Sequence, residues 1–329
     1  MITGIAGFIG SHVAEAMLAS GWEVAGIDDL SGGNRSNVPS AASFFERDCC
    51  DDLTELFETF RPEVVVHLAA YAAEGLSHHL PTFNYRNNLL GTSNVLTATH
   101  RVGARHFVFT SSIAAYGHPV GGELFTEESV CRPCDPYGIA KFACEQHIAA
   151  FCDYYGGPTY TIFRPHNVFG PRQNISDPFR NVVGIFFRCA KQGLALPVFG
   201  DGRQTRSFSY IDVVAGSIAA SPSTAAARNA VFNVGGEQSL SVLELAERIA
   251  LLTGTSTGVE HLPSRREVQH AHANHDKARS TFPDVFAKAI QLDEGLERMA
   301  KYVYSFAVPS PTACPSAIEI RDRLPAVWQ

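Results

Sequence analysis

"MITGIAGFIGSH" (residues 1–12) decides the fold. An apolar stub, Met1–Thr3, runs into glycines at positions 4, 7 and 10, and "SHVAEAMLAS" (11–20) carries helical periodicity on to Gly21, a helix stop. In a strand–turn–helix of this kind Gly4 permits the tight turn, Gly7 lets backbone N–H groups approach a pyrophosphate, and Gly10 lets helix and strand pack closely. Glycines at such a turn also serve packing alone, so the stretch by itself leaves both readings open. A typical strand has ~5–6 residues, yet only three precede Gly4. The expectation is that Met1–Thr3 still pair as a short central strand, and that the native chain carries a longer N-terminus.

Beyond the turn, strand and helix patterns alternate. "EVAGIDD" (23–29) and "ASFFERD" (42–48) read as strands, and "DDLTELFETF" (51–60) reads as a helix. "EVVVHLAA" (63–70) is a near-continuous apolar run, as a strand buried on both faces requires. A helix over roughly 82–102 leads to a strand at "HFVFTSS" (106–112), and a helix from Tyr137 to about Tyr155 leads to another at "YTIFRP" (160–165). This alternation predicts an α/β fold with a Rossmann-type, doubly wound parallel sheet. Past Pro165 the pattern breaks at Pro171, Pro178 and Pro197, with regular islands at "VFNVG" (231–235) and "SVLELAERIALLTG" (241–254). The predicted division is a cofactor domain of residues 1–166 plus 207–237 and a smaller, interrupted substrate lobe of 167–206 plus 238–329.

Asp28 separates the two readings of the glycine turn. It ends the second strand, 18 residues beyond Gly10. A carboxylate there accepts the hydrogens of an adenosine ribose diol and repels a 2′-phosphate, and Asp29 adds to that repulsion. NAD is therefore expected rather than NADP, although Arg35 lies nearby.

The 329 residues carry a net charge of −7 and no basic stripe, which argues against nucleic-acid binding. No apolar run of ~18 residues occurs, and no charged-then-apolar leader precedes the turn, so neither a membrane span nor a signal peptide is expected. Eight cysteines then read as reduced thiols of a cytoplasmic protein. Cys131 and Cys134 form one CxxC without a second, and His270, His272 and His275 read as a solvated strand edge, so no metal site is expected.

"DPYGIAK" (135–141) places Tyr137 and Lys141 four apart, on one helix face. A free tyrosine titrates near pH ~10; a nearby ammonium and an oxidised nicotinamide would both stabilise its phenolate. Ser112, at the end of a buried strand, can hydrogen-bond the same substrate oxygen. A surface Tyr and Lys on an ordinary amphipathic helix would look the same in isolation. The ordered set of glycine turn, Asp, Ser and YxxxK is far more specific than any member.

On these residues the chain resembles the extended short-chain dehydrogenase/reductase family, and within it the NAD-dependent UDP-glucose 4-epimerases. The resemblance runs through "TGIAGFIGSH", "IDDLSGGNRSN", "VVVHLAA", "NNLLGTSNV", "TSSIAAYG", "DPYGIAK", "RPHNVFGPRQN", "VFGDGRQTRSFSYIDVV", "HANHDKA" and "AIEIRDRLP". It implies Ser112, Tyr137 and Lys141 as catalytic residues. For the cofactor it implies the turn with Phe8 and Ile9, Asp28 and Asp29, the loop Ser31, Gly32 and Gly33, and Asp48 and Cys49 at the adenine. Leu68, Ala69 and Ala70 would pass under the cofactor, Asn88 would contact it, and Pro165 would sit by the nicotinamide amide. Asn167, Asn181, Val182, Phe199 and Arg206 would hold a UDP-sugar. A guanidinium suits a diphosphate; an aromatic such as Phe199 serves equally as core. A homodimer built from the 82–102 and 137–155 helices is also implied.

Departures from the family pattern are specific. Ile5 stands where the family usually has a second glycine, and Val213 replaces the last Asp of its YxDD motif. The phosphate-binding arginine aligns on Ser264, leaving Arg265 or Arg266 to take over. Ala271 aligns with the position associated with admitting a 2-N-acetyl group, so N-acetylated hexoses are also expected. Ser112-Ile113-Ala114 replaces the Thr-Asp-Glu of the 4,6-dehydratases, and Gln173 and Asn174 replace the extra arginine common in glucuronate epimerases. The expected function is C4 epimerisation of a UDP-hexose (glucose/galactose forms) through a 4-keto intermediate. The alternatives are a uronate epimerase, a decarboxylase or reductase on the same scaffold, and, in another class, a catalytically silent nucleotide-binding scaffold.

Overall fold

In a computed structural model that describes residues 1–119, 124–264, 268–307, 314–325 and 328, seven strands pair in parallel. They are β1 (Ile2–Thr3), β2 (Ala25–Asp28), β3 (Ser43–Glu46), β4 (Val64–His67), β5 (His106–Thr110), β6 (Thr159–Pro165) and the strand Ala230–Val234. Their spatial order is 230–234, β6, β5, β4, β1, β2, β3. The chain winds outward from β1 in one direction and then restarts at β4 on its other side. The crevice at the carboxyl ends of β1 and β4 is therefore a topological switch point, where such sheets bind ligands.

The expected short central strand forms. Ile2 pairs with Gly26 and Val66, and Thr3 with Ile27 and His67. Thr3 also receives the N–H groups of Leu68 and Ala69 at 3.2 Å on its Oγ1, and lies 2.6 Å from His67 Nδ1. These bonds hold the end of β1 against the segment that follows β4.

Both faces of the sheet are buried because side chains alternate along each strand. Val64, Val66, Val108 and Phe163 join one apolar cluster, while Val65, Phe107, Phe109 and Ile162 join the other. Each such side chain contributes roughly 1.5–3 kcal/mol by leaving water. The helix α1 (Phe8–Ala19) packs on the first cluster through Val13, Ala14 and Met17, and the helix Pro136–Tyr155 on the second through Cys144 and Ile148.

The helix expected over 82–102 differs in detail. It is α-helical over Pro81–Tyr85, widens to a π-helical turn over Arg86–Leu90, and returns to α-helix over Gly91–Arg101. Beyond β6 the chain builds the helices Val182–Gln192, Val242–Thr253 and Leu292–Tyr304 and three small sheets. Ser241 and Glu244 form a reciprocal capping box at the start of the second of these helices. Among the described residues no helix is long and apolar enough to cross a membrane.

Candidate active site

Of the described residues named above for cofactor or substrate, all but Asn88 and Ala271 border one cavity of about 610 Å³ at the switch point. Arg265 and Arg266 lie outside the described residues. Asn88 is buried behind the wall: its Oδ1 accepts from Tyr71 N at 3.0 Å, and its Nδ2 donates to Asn84 Oδ1 at 2.7 Å. It shapes the 71–72 loop that borders the cavity rather than facing the cavity itself.

The glycine turn is as tight as its sequence demands. A Cβ on Gly10 would stand 2.0 Å from Gly4 O, and one on Gly4 (φ +73°) would stand 2.8 Å from Ala69 N. Gly7 precedes the first residue of α1 in extended backbone, with no side-chain cap on the helix start and no acidic residue in its first turn. An uncapped helix N-terminus opening on a cavity favours an anion. Ile5, in the family's glycine position, is fully buried, and its side chain is accommodated because Gly26 faces it: a Cβ there would meet Ile5 Cδ1 at 2.6 Å.

At the end of β2, Asp28 accepts Ala6 N at 3.0 Å on Oδ2 and Leu30 N at 2.9 Å on Oδ1. Burial pushes its carboxyl above the usual range, and those two N–H bonds pull the other way. The carboxylate keeps acceptor capacity for a ribose hydroxyl. Arg35 does not border the cavity; its guanidinium lies 4.3 Å from the centre of the Phe44 ring. Asp48 and Cys49 line the same end, with Asp48 held by Arg86 Nη2 at 2.7 Å. Uncapped helix start, close-packed glycine cradle and terminal carboxylate are together a donor and acceptor set that fits NAD.

At the carboxyl end of β5, Ser112 accepts Ala114 N at 3.1 Å on its Oγ and is hydrogen-bonded to the Tyr137 side chain. Tyr137 and Lys141 are buried on one face of the Pro136–Tyr155 helix, which Asp135 caps by accepting Gly138 N at 2.8 Å. Lys141 Nζ donates to Thr110 O at 2.8 Å. Burial lowers the lysine from 10.5 to about 8 and pushes the Tyr137 phenol well above its ordinary value, an effect that the Ser112 hydrogen bond counters. In the protein alone the phenol is thus protonated; its ionisation depends on positive charge being brought alongside.

Beneath the trio lies a buried ion pair that sequence reasoning missed. Glu145 accepts Arg164 Nε at 2.9 Å and Nη2 at 2.5 Å, and also accepts the Ser111 hydroxyl. The only sequence signal was a carboxylate four residues beyond Lys141, on the same buried face.

In the lobe, Asn167 adopts a left-handed backbone (φ +41°) and donates to Ser207 O at 3.1 Å. Asn181 caps the Val182–Gln192 helix through Val183 N at 3.0 Å. Arg206 reaches the cavity, but its Nη1 donates to Thr205 O and Gln269 O, and its Nη2 to Val268 O at 2.5 Å. Ala271 pairs with Arg206 in a strand, is buried and is not among the residues that border the cavity. His275 departs from a solvated edge: it is 2 % exposed, with Nε2 2.6 Å from His166 Nε2. Arg180 and Tyr71 border the cavity with no sequence signal; the guanidinium sits 4.4 Å from the Tyr71 ring centre and 2.9 Å from Asp177.

Comparison with known proteins agrees with this geometry. Residues 1–235 match the model of the NAD dependent epimerase/dehydratase family. The chain is 33% identical over 314 residues to a UDP-glucose 4-epimerase of Mycolicibacterium smegmatis, covering 92% of this chain and 97% of the relative. It is 31% identical over 285 residues to a UDP-N-acetyl-alpha-D-glucosaminuronate decarboxylase of Bacillus cytotoxicus, covering 82% and 85%. The solved UDP-glucose 4-epimerase of Thermotoga maritima with UDP-glucose superposes with a TM-score of 0.87 at 31% identity, covering 92% of this chain and 98% of that one. The fold, the cofactor cradle and these matches lead to one conclusion: the chain is a member of the NAD-dependent epimerase/dehydratase family.

Proposed function

We propose that the protein inverts C4 of a UDP-hexose, interconverting the glucose and galactose forms. The observation that carries this reading is the convergence of Ser112, Tyr137 and Lys141 on the cavity that also holds the glycine turn, with no acid in the two positions after Ser112. A dehydratase needs an acid–base pair there to expel water; Ile113 and Ala114 supply neither.

Bound NAD supplies a nicotinamide that takes up and returns a hydride. The residues of the chain handle the proton and the geometry. Tyr137 accepts the 4-hydroxyl proton on its phenolate oxygen, Ser112 holds the same substrate oxygen, and Lys141 places positive charge beside the ring (5.9 Å from Nζ to its centre). Asn167, Asn181 and Arg206 grip the nucleotide, which leaves the hexose free to present either face. Residues 1–166 with 207–237 would serve the cofactor and the rest the substrate. Leu90, Ile139, Tyr154 and Tyr155 are exposed on the helices of the expected homodimer face, which supports that assembly.

The test is incubation of purified protein with UDP-galactose, without added cofactor, alongside Tyr137→Phe. Interconversion is expected, falling by about 10²–10⁴ in the variant. If neither UDP-glucose nor UDP-galactose interconverts and Tyr137→Phe behaves like wild type, the reading fails. A panel of N-acetylglucosamine, glucuronate and xylose forms extends the same assay.

A further inference from the structure

Glu319 N and Ile320 N donate to His79 O at 3.0 and 3.2 Å, and His79 Nδ1 lies 2.8 Å from Ile320 O. The Glu319 carboxylate accepts Thr82 N and Phe83 N, both at 2.9 Å, at the start of the Pro81–Tyr85 helix. Cys314, Ile318 and Trp328 pack on the buried Ala73, Leu76 and Leu80. Polar and apolar contacts thus fasten the end of the chain to residues some 240 positions earlier.

The strapped segment lies against the catalytic helix. Ser77 Oγ accepts Tyr137 N at 3.2 Å, and Asn84 Nδ2 donates to Pro136 O at 2.9 Å. Trp328 itself borders the cavity, with its ring centre 5.5 Å from Phe179 and 6.3 Å from His79. The indole therefore borders the cavity beside the 73–83 segment, the one whose Ser77 meets Tyr137 N.

We infer that the C-terminal segment is a strap that supplies Trp328 as a specificity-determining wall of the sugar subsite, its indole set against the C–H face of the hexose. This rests on the UDP-hexose reading above. An apolar wall of this kind holds a pyranose ring without fixing its hydroxyls, which suits a sugar that must present both faces in turn.

The chain has two tryptophans. Trp22 lies under Arg105, 5.8 Å from ring centre to guanidinium, and does not border the cavity. Emission of the Trp22→Phe protein therefore comes from Trp328 alone. Adding UDP-galactose is expected to change it, and adding UDP to change it less. Trp328→Ala is expected to raise KM for UDP-galactose by about fivefold, the worth of one aromatic contact, with kcat and bound NAD unchanged and Trp328→Phe restoring KM. Should Trp22→Phe fail to fold, the ligand-induced emission change of wild type minus that of Trp328→Ala reports the same quantity. If wild type interconverts the hexoses while Trp328 emission ignores them and Trp328→Ala keeps the wild-type KM, the strap inference is overturned and the reaction stands. If UDP-galactose perturbs Trp328 but no C4 inversion occurs, the reaction falls and the wall stands.

Discussion

The Lys141 ammonium donates to the main-chain carbonyl of Thr110, 2.8 Å away at the last residue of β5. This bond holds a positive charge 4.8 Å from the Phe109 ring centre, on a residue only 3% exposed. The charge is costly there, and Lys141 is lowered to about 8 against 10.5 for a free lysine.

A pH-dependent stability difference follows for Lys141→Met. Between about 8 and 10.5 the unfolded chain still holds the lysine proton while the folded chain has released it. The folded state binds fewer protons there, so wild type gains stability relative to the variant as pH rises through that window. Paired thermal melts at pH 7, 8, 9 and 10 check it; a difference that stays flat or moves the other way contradicts a buried, depressed lysine. Epimerase activity of the same variant is expected to fall by about 10²-fold or more, because the phenolate loses its neighbouring cation.

The Glu145–Arg164 pair is 5% exposed on each side chain and doubly hydrogen-bonded. Glu145→Ala leaves a buried guanidinium without its counter-charge, at a cost of about 3–5 kcal/mol. Urea unfolding should show this as a lower midpoint with an unchanged slope. Glu145→Gln retains one acceptor and should lose less. Equal midpoints for Glu145→Ala and wild type would mean that the pair does not hold the base of the Ser111–Ser112 turn.

His166 Nδ1 lies 3.3 Å from the carbonyl oxygen of Ser207, which can only accept, so that nitrogen carries the proton. Burial pushes His166 down to about 3, hence it is neutral and its Nε2 accepts from His275. His275→Ala should strand that buried acceptor, costing about 1–3 kcal/mol. Because Asn167 follows directly, KM for the UDP-sugar should rise while kcat holds. Steady-state kinetics with a matched denaturation curve separate the two effects.

Much of this protein was written locally. The strand alternation, the glycine turn, Asp28 and the Tyr137–Lys141 spacing could be read because each depends on neighbours within one turn or one strand. The near-continuous apolar run at 63–70 also told that the sheet is buried on both faces. Even so, the π-helical turn at Arg86–Leu90 gave no such signal: one extra residue in a helix leaves the apolar pattern almost unaltered.

The tertiary structure decided what distant partners do. Ile5, in place of the family's second glycine, finds its space opposite Gly26, where a Cβ would meet it at 2.6 Å. His275 read as solvated because its partner, His166, lies 109 residues away. Arg206 was legible as a cation, and the carbonyls of Thr205, Val268 and Gln269 that hold its guanidinium at the cavity were not. Trp328 is held at the cavity by Glu319, His79 and the apolar contacts of the strap. The sequence by itself determined the fold class, the cofactor cradle and the shared helix face of Tyr137 and Lys141, since backbone turns and helix faces are short-range geometry. Which polar groups are buried, what charge each one meets and which residues wall the cavity were set by contacts between segments far apart in the chain, and no local pattern encodes those.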